Sequence, residues 1–171
     1  MPVTTADFRR ALSTFATGVT IVTTRQADGT PCGLTANAFA SVSLVPPLVL
    51  VCVDRKAESY PHFGAAGVFG VNILTEAQAA LSTRFAVSGG DKFAGLSFRW
   101  GATGVPILSE HLAYLECRVA HAYEGGDHTI YVGEVDVVGV GDGRPLLYFR
   151  GAYGNLANSR EPGDLPTSSS E

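Results

Sequence analysis

Residues suited to bind a large, flat, anionic ligand flank one apolar run of this sequence. They are small polar side chains before the run and an acidic, two basic and a hydroxyl side chain after it: Thr35, Asn37, Ser41 and Ser43, then Asp54, Arg55, Lys56 and Ser59. Small residues let a flat ring approach the backbone, and guanidinium, ammonium and hydroxyl groups bind an anion. The spacing predicts one ligand site formed by residues at both ends of a strand.

The apolar run itself is Leu48–Val53, bounded by Pro47 and by charged residues. Six residues rich in β-branched side chains between such boundaries predict a strand buried on both faces. We expect a polar loop on each side of it. The strand would bring both loops to one place.

Composition limits the class of protein. The 171 residues suit one domain with its own core; 46% are apolar, 16% are charged, and the net charge is −4. A sparsely charged surface indicates that part of it is covered, most simply by a second copy of the chain. The acidic balance argues against nucleic acid as a partner. No run reaches the roughly 18 apolar residues of a membrane span, and the N-terminus lacks an export signal, so we expect a cytoplasmic protein.

The three cysteines, Cys32, Cys52 and Cys117, are far apart and form no CxxC pair. Neither a zinc site nor a disulfide framework is indicated, and no metal is expected. We expect free thiols in a reducing compartment.

The N-terminal part predicts a helix and a hairpin. Thr4–Ala16 has apolar residues on one face, Thr4 and Asp7 at capping-box spacing, and Gly18 as its expected end. Val19–Thr24 is a predicted strand, and the chain returns through an Asp-Gly turn into Pro31–Leu34 as its antiparallel neighbour.

The middle of the chain alternates helix and strand. We predict a short helix at Glu58–Ala66, a strand at Gly67–Leu74 and a helix at Glu76–Phe85. Ala86–Gly104 is a glycine-rich loop with several aromatic residues, which usually cover other groups when they occur in polar loops.

The C-terminal part predicts an antiparallel meander. Leu112–Tyr123, His128–Val140 and Leu146–Arg150 are strands joined by short glycine turns. Asn155–Glu171 contains little to bury, and we expect a flexible tail there.

About six or seven strands and two or three helices favour a mainly β fold with peripheral helices. A closed or half-closed antiparallel barrel fits this order better than a doubly wound parallel sheet. Neither GxGxxG after the first strand nor GxxxxGK[ST] is present, so any dinucleotide must bind without these motifs.

Four motifs in this order resemble the short-chain flavin reductase family. They are FATGVTIVTT (Phe15–Thr24), LTANAFASVSLVPPLVLVCVDRKAES (Leu34–Ser59), RFA with DKFAG (Arg84–Gly95) and EGGDHTIYVGEV (Glu124–Val135). The family comprises reductase components of two-component flavin-dependent monooxygenases and has the FMN-binding split barrel, an antiparallel split β-barrel. Within the family, the chain resembles actinomycete reductases that serve polyketide and aromatic hydroxylases. The resemblance implies a domain at residues 1–154, with residues 155–171 as the tail.

The resemblance also implies the ligands and partners. It implies FMN, with FAD as the alternative, and NADH or NADPH as the reductant. It further implies a homodimer and a separate monooxygenase that receives the reduced flavin.

Carried over by motif, the resemblance implies three sets of flavin-binding residues. They would line the ring and ribityl chain, continue along the ribityl and phosphate groups, and close the phosphate or adenylate side: Thr35, Ala36, Asn37, Ala38, Ser41 and Ser43; then Cys52, Val53, Asp54, Arg55 and Ser59; then Arg84, Phe85 and Lys92.

His128, at a turn exit within the Gly-Gly-Asp-His motif, is the expected catalytic residue beside the nicotinamide. A histidine there would orient the carboxamide or move a proton during hydride transfer. Tyr148, Arg150 and Tyr153 would form the far wall of the nicotinamide site. The other histidines are expected to be structural.

Two other functions fit the same sequence. One is a split-barrel flavoprotein that keeps FMN bound and acts on another substrate. The other is a non-catalytic flavin- or haem-binding module, which would leave the Gly-Gly-Asp-His motif without a purpose.

Overall fold

An antiparallel sheet of seven strands forms the main body of the protein, whose computed structural model describes residues 2–157. Along the chain the elements are α1 (Thr5–Leu12), β1 (Thr17–Gly18), β2 (Thr20–Arg25), β3 (Pro31–Ala36), β4 (Phe39–Leu44), β5 (Pro47–Asp54), α2 (Tyr60–Ala66), β6 (Val68–Ile73), a 3-10 turn (Glu76–Gln78), α3 (Ala79–Ala86), β7 (Phe98–Trp100), β8 (Pro106–Leu108), β9 (Ala113–Gly125), β10 (His128–Val140), β11 (Leu147–Phe149) and β12 (Ala152–Gly154).

The main sheet has the strand order β3-β2-β6-β9-β10-β5-β4 and curls into a split barrel. Its two edge strands, β3 and β4, are consecutive in the chain and are separated only by Asn37 and Ala38. The Cys52 N–H donates to the Ala38 carbonyl at 3.0 Å, which ties this crossing to β5. Val22, Val51 and Phe69, all with no exposed surface, lie in the core that the curled sheet encloses. The predicted antiparallel split barrel with peripheral helices is confirmed.

The prediction that β5 is buried on both faces is wrong for the single chain. Val49, Val51 and Val53 are buried, whereas Leu48 and Cys52 on the other face are only half-buried. An antiparallel barrel buries the inner face of each strand, so an unbroken apolar run alternates between core and outer surface.

The segment before β5 is a strand and not the polar loop that the sequence predicted. β4 pairs with β5 through a hairpin whose two-residue turn is Val45-Pro46. The double proline therefore marks a hairpin turn. Leu44 and Val45 at its tip are 90% and 91% exposed.

The N-terminal helix has its predicted cap but ends early. Thr4 Oγ1 accepts from the Asp7 N–H at 3.1 Å and donates to the Asp7 carboxylate at 2.7 Å. The helix ends at Leu12 and not near Gly18, because the next two hydroxyl side chains, Ser13 and Thr14, bond back to the carbonyls of the last turn.

The strand pairing of the first predicted hairpin is confirmed, whereas the C-terminal meander is wrong in its third strand. β2 and β3 are antiparallel neighbours, and so are β9 and β10. β11 instead pairs with β1 and β12 in a separate three-stranded sheet. The turn signal before β11 was correct, but a turn does not specify which strand the chain joins next.

The helices on either side of β6 lie where the sequence places them, with shifted starts. α2 begins two residues later than predicted. The second predicted helix opens as the 3-10 turn, where Thr75 and Gln78 form a capping box, and continues as α3.

The glycine-rich loop after α3 contains a hairpin, β7–β8, and a line of aromatic side chains. Phe85, Phe93, Phe98 and Trp100 contact one another edge to face with centroid separations of 5.1–5.6 Å. Phe85 and Phe93 belong to a second buried cluster outside the barrel. We predicted that these aromatic side chains cover other groups. In the structure they pack against one another and against the second buried cluster.

Among residues 2–157, no helix is long and apolar enough to cross a membrane. The expected tail begins at Asn155. Its residues 158–171 lie outside the part of the chain that the structure describes.

Candidate functional site

A cavity of about 350 Å³, here named the central cavity, lies where the ends of β3, β5 and α3 meet the start of β10. Its lining includes eight of the residues predicted from the sequence: Thr35, Ala36, Asn37, Ala38, Cys52, Asp54, Lys92 and His128. The fold thus brings His128 to the residues at the ends of β3 and β5, although His128 is more than 70 residues away from them in the chain. A ligand in this cavity would contact all four segments.

Strand register explains why these segments meet. His128, the first residue of β10, is the antiparallel partner of Asp54, the last residue of β5. The turn that follows β5 is fixed to the turn that precedes β10, because the Arg55 N–H donates to the Asp127 carbonyl at 3.1 Å. The Asp54 carboxylate in turn accepts from the Lys56 N–H at 2.8 Å. The barrel therefore fixes this wall of the cavity.

His128 is held by its neighbour in the chain. Its Nδ1 lies 2.7 Å from Oδ1 of Asp127, and 39% of its side chain is exposed. The hydrogen bond from the imidazole lowers the pKa of Asp127, so the carboxylate is ionised at neutral pH and accepts from Nδ1–H. The other ring nitrogen, Nε2, is then free to bind a ligand at the cavity wall.

Cys52 contributes a neutral contact to the central cavity. Burial raises the pKa of this thiol, and it raises the pKa of Cys32 and Cys117 to about 12. All three cysteines are free. Their thiols are therefore protonated at neutral pH and are poor nucleophiles.

A second cavity of about 340 Å³, here named the adjacent cavity, borders the central one. Glu58 and Lys92 line both cavities, and Ser59 lines the adjacent cavity. Ser59 is only 4% exposed, yet its Oγ has no hydrogen-bond partner among residues 2–157. A buried hydroxyl without a protein partner is a candidate contact for a polar ligand or a water molecule.

Lys92 supplies positive charge at the boundary between the two cavities. Its Nζ lies 3.4 Å from the Phe85 carbonyl, and within residues 2–157 it forms no salt bridge. Lys56 is a further ammonium group in the lining of the central cavity. This boundary can therefore accommodate an anion such as a phosphate group.

Several other predicted residues lie away from the central cavity in the single chain. Ser41 and Ser43 are on β4, where Ser43 Oγ accepts from the Val45 N–H at 3.2 Å. The Val53 side chain is buried in the barrel core. Arg55 extends to Glu124, with a separation of 3.2 Å.

The predicted residues of α3 face the glycine-rich loop. The Arg84 guanidinium donates to the carbonyls of Asp91 and Ala94 at 3.0 and 2.6 Å. The Phe85 ring lies in the second core against Phe93. Both residues position the loop that carries Lys92.

Of the three residues predicted for the nicotinamide wall, Tyr148 lies on β11, Tyr153 on β12 and Arg150 in the turn between these strands. Tyr148 and Tyr153 contact each other edge to face at 5.6 Å, and the Arg150 guanidinium lies over the Phe149 ring. Of the three, Tyr153 is linked to the cavity lining. Its hydroxyl donates to Ser82 Oγ at 2.8 Å, and the Ser82 carbonyl accepts from Thr35 Oγ1 at 2.5 Å.

Sequence reasoning missed a part of the central cavity lining that comes from the loop after β5, from the last residue of α3 and from the loop that follows α3. These residues are Ala57, Glu58, Ala86, Val87 and Ser88. Ala57, Ala86 and Val87 carry no chemical signal of their own, whereas Glu58 has a carboxylate and Ser88 a hydroxyl group. Glu58 lies inside the longest recognised motif and could have been considered there.

The residues present fit a phosphorylated flavin. The crossing from β3 to β4 gives the cavity a wall of small side chains, suited to a flat ring. The unpartnered Ser59 hydroxyl and the Lys92 ammonium group at the cavity boundary suit its phosphate.

Comparison with known proteins gives a consistent result. Residues 12–157 match the family model described as the Flavin reductase like domain. The chain is 44% identical over 159 residues to the reductase component of 4-nitrophenol 4-monooxygenase/4-nitrocatechol 2-monooxygenase from Rhodococcus opacus, covering 93% of this chain and 85% of that protein. It is also 44% identical over 151 residues to the FMN reductase (NADH) SmoA from Agrobacterium fabrum, covering 88% and 86%.

Among solved structures, the chain is similar to a Streptomyces globisporus NADH:FAD oxidoreductase in complex with NAD and FAD fragments. The TM-score is 0.84 at 37% identity, and the match covers 89% of this chain and 92% of that one.

Proposed function

The chain belongs to the flavin reductase-like family, and on that premise we propose that it is an NAD(P)H:flavin oxidoreductase that supplies reduced flavin to a separate monooxygenase. The two relatives described above are named as a flavin reductase and as the reductase component of a monooxygenase. They favour this function over a permanently bound FMN acting on another substrate and over a binding module. The names of two of the similar proteins include NADH as the reductant.

One observation supports the site assignment most. The central cavity brings the β3–β4 crossing, the end of β5, Lys92 and His128 together. When bound, the flavin supplies a ring whose N5 accepts a hydride from C4 of the reduced nicotinamide. The residues of this chain have to stack the two rings, because hydride transfer is first a positioning problem.

We assign the ring and ribityl chain to the central cavity. Asn37 and the small residues on either side of it form the wall against the ring, and Cys52 and Asp54 of the adjoining β5 extend this wall. Lys92 and the Ser59 hydroxyl bind the phosphate at the boundary with the adjacent cavity. Arg84 and Phe85 contribute by positioning the loop that carries Lys92.

His128 is the proposed catalytic residue. With Nδ1 engaged by Asp127, the imidazole presents Nε2 to the nicotinamide carboxamide or to a proton exchanged at the ring. Tyr148, Arg150 and Tyr153 are proposed as the far wall of the nicotinamide site.

A homodimer is proposed as the working assembly. Large apolar side chains are exposed at the β4–β5 hairpin tip and after α1: Leu44 is 90% exposed, Val45 91% and Phe15 73%. Contiguous exposed apolar surface usually marks an interface, and the neighbouring residues Leu44 and Val45 supply such surface at the hairpin tip. Ser41 and Ser43 do not line the central cavity of the single chain. In a dimer these two serines could contact the flavin of the second subunit.

The boundaries and the location are also proposals. Residues 1–154 form the functional domain, with residues 155–171 as an appended tail. Three free thiols and a nicotinamide reductant suit the cytoplasm.

The proposal is tested by NADH oxidation with and without added riboflavin, FMN or FAD in large excess over the protein. Turnover should require added flavin and should continue for many equivalents of NADH per protein chain. A purified protein that holds one equivalent of FMN and oxidises no NADH beyond it would contradict the proposal.

A further inference from the structure

Ser82 links three elements around one side chain of the central cavity. It lies in α3 and has no exposed surface. Its Oγ accepts from the Tyr153 hydroxyl at 2.8 Å, and its carbonyl accepts from Thr35 Oγ1 at 2.5 Å. Tyr153 belongs to β12 and Thr35 to β3. The two hydrogen bonds therefore hold α3 between the small C-terminal sheet and the edge of the barrel.

The hydrogen bond to Ser82 determines what the Thr35 hydroxyl can offer a ligand. A threonine hydroxyl has one proton to donate and two lone pairs that accept. Thr35 gives its proton to the Ser82 carbonyl, and Thr35 also lines the central cavity. Toward the cavity its oxygen can therefore only accept a hydrogen bond, which suits a ligand group with an N–H or O–H donor.

A flavin has such donors in the part that all its forms share. The ring carries N3–H, and the ribityl chain carries hydroxyl groups, whereas the phosphate is mainly an acceptor at neutral pH. A contact with Thr35 would therefore stabilise riboflavin and FMN equally. It differs in this respect from the proposed phosphate contacts of Ser59 and Lys92.

Tyr153 supports this arrangement from outside the central cavity, whose lining it does not join. Its ring contacts Tyr148 edge to face, and its hydroxyl fixes the Ser82 side chain. Without that hydrogen bond α3 can shift on β3 and carry the Ser82 carbonyl away from Thr35. The threonine proton would then be free to turn toward the ligand donor and oppose it.

We infer that Tyr153 is a positioning residue for the flavin, which acts through Ser82 and keeps Thr35 as a hydrogen-bond acceptor for a donor of the ring or ribityl chain. The inference rests on the proposed flavin site. It gives Tyr153 a role in flavin binding in addition to its proposed place in the nicotinamide wall, and this role is tested without NADH.

The test is isothermal titration calorimetry of riboflavin and FMN with Thr35→Val, Tyr153→Phe and the double variant, beside the wild type. Ser82→Ala, alone and combined with Thr35→Val, repeats the comparison, because it removes the acceptor for Tyr153 and keeps the backbone carbonyl. Tyr123→Phe is the control, since it removes the hydroxyl of an exposed tyrosine on β9 that lines neither cavity. Thermal unfolding checks that each variant is folded.

Thr35→Val should weaken the binding of both flavins about fivefold, the usual value of one hydrogen bond between neutral groups. Tyr153→Phe and Ser82→Ala should each cause a smaller loss of about threefold, because they misplace that hydrogen bond without removing it. Neither should cause a further loss in the Thr35→Val background, since both act on the same contact. Tyr123→Phe should bind as the wild type does.

An unchanged flavin affinity in Tyr153→Phe and Ser82→Ala would overturn the inference. Losses that add to that of Thr35→Val would also overturn it, because a general loosening of the fold gives additive effects. Lumiflavin, which has the ring N3–H but no ribityl chain, distinguishes the two donors. Weaker binding of lumiflavin by Thr35→Val identifies the ring, and unchanged binding identifies the ribityl chain.

NADH oxidation is measured separately on the same samples. Flavin binding with the expected coupling but without NADH oxidation would contradict the reductase function and leave the role of Tyr153 supported. Turnover together with additive losses of flavin affinity would do the reverse.

Discussion

At the scale of single residues, Asp127 and His128 form the pair on which the proposed hydride step depends. The 2.7 Å contact fixes the imidazole, and the lowered pKa of Asp127 keeps its carboxylate charged. Because that pKa lies below the ordinary value of 3.8, the stabilisation from this pair is present above 3.8 and is lost as the pH falls through the lowered pKa. Titration of Asp127 therefore does not alter activity near neutral pH.

Asp127→Asn should lower kcat for NADH oxidation several-fold and leave the affinity for FMN unchanged. An amide accepts a weaker hydrogen bond than a carboxylate and can present its NH₂ group to the ring, so the imidazole loses its fixed orientation. Steady-state kinetics and FMN titration measure the two effects. Asp142→Asn, in a distant turn of the sequence, is the control. A loss of FMN affinity equal to the loss of kcat would show that Asp127 shapes the flavin site instead.

Ser59→Ala should weaken FMN binding about tenfold, as expected for one hydrogen bond to a charged group. Riboflavin, which has no phosphate, should bind as before. Calorimetry on both flavins measures the difference, and Ser109→Ala, at an exposed site, is the matched control. Equal weakening of both flavins would place the Ser59 hydroxyl away from the phosphate.

Sequence motifs predicted segments that line the central cavity, while the roles of the individual residues stay predictions. The motif around Asn37 and the one ending at His128 predicted two segments that the cavity brings together. Arg84 and Phe85 were predicted to bind the flavin. In the structure the Arg84 guanidinium donates hydrogen bonds to loop carbonyls, and the Phe85 ring packs against Phe93 in the second buried cluster. A side chain's direction depends on tertiary packing, which the residue type does not reveal.

At the scale of elements, the central wall of the barrel depends on close packing between β10 and its neighbours. A Cβ on Gly133 would lie 2.7 Å from Cε1 of Phe69 and 2.8 Å from Cβ of Cys117. Phe69 and Cys117 are fully buried, so neither can move aside easily. This glycine therefore leaves room for the Phe69 ring and the Cys117 side chain beside β10, the strand that pairs with β9 and β5.

Gly133→Ala should therefore destabilise the protein by about 1–3 kcal/mol, the usual cost of overpacking a core. Chemical denaturation measures the free energy of unfolding. Gly154→Ala is the control, because a Cβ there would meet no atom within 4 Å. Equal stability of the two variants would mean that the barrel wall tolerates the added methyl group.

Local signals predicted most elements, and long-range pairing accounts for the main errors. The pairs β2–β3 and β9–β10 follow turns that the sequence marks clearly. The pairing of β11 with β1 joins residues about 130 apart, for which no local pattern exists. The hairpin at Val45-Pro46 was missed because a double proline more often marks a loop.

At the scale of the whole molecule, the barrel alone leaves apolar surface uncovered. α1 has no buried residue, and the hairpin tip at Leu44 and Val45 is almost fully exposed. The sparse charge of the sequence already indicated a covered surface, but composition cannot locate it. The proposed dimer would cover this surface.

Light scattering after size-exclusion chromatography should give twice the 17.9 kDa mass of the chain. Leu44→Lys should shift the protein toward the single-chain mass, because a buried ammonium group without a partner is costly at an interface. Ala102→Lys, on the exposed β7–β8 turn, should not. A wild type with the mass of a single chain would contradict the proposed homodimer.

The most direct test of the flavin reductase assignment is anaerobic stopped-flow reduction of FMN by NADH, followed through the absorbance of oxidised flavin. The wild type should consume one NADH for each FMN reduced. His128→Ala should bind FMN normally but reduce it at least about tenfold more slowly, given the usual contribution of a positioned acid–base group, while His121→Ala should match the wild type. A wild type that leaves FMN oxidised would contradict the assigned function, and a His128→Ala variant as fast as the wild type would contradict the assigned site.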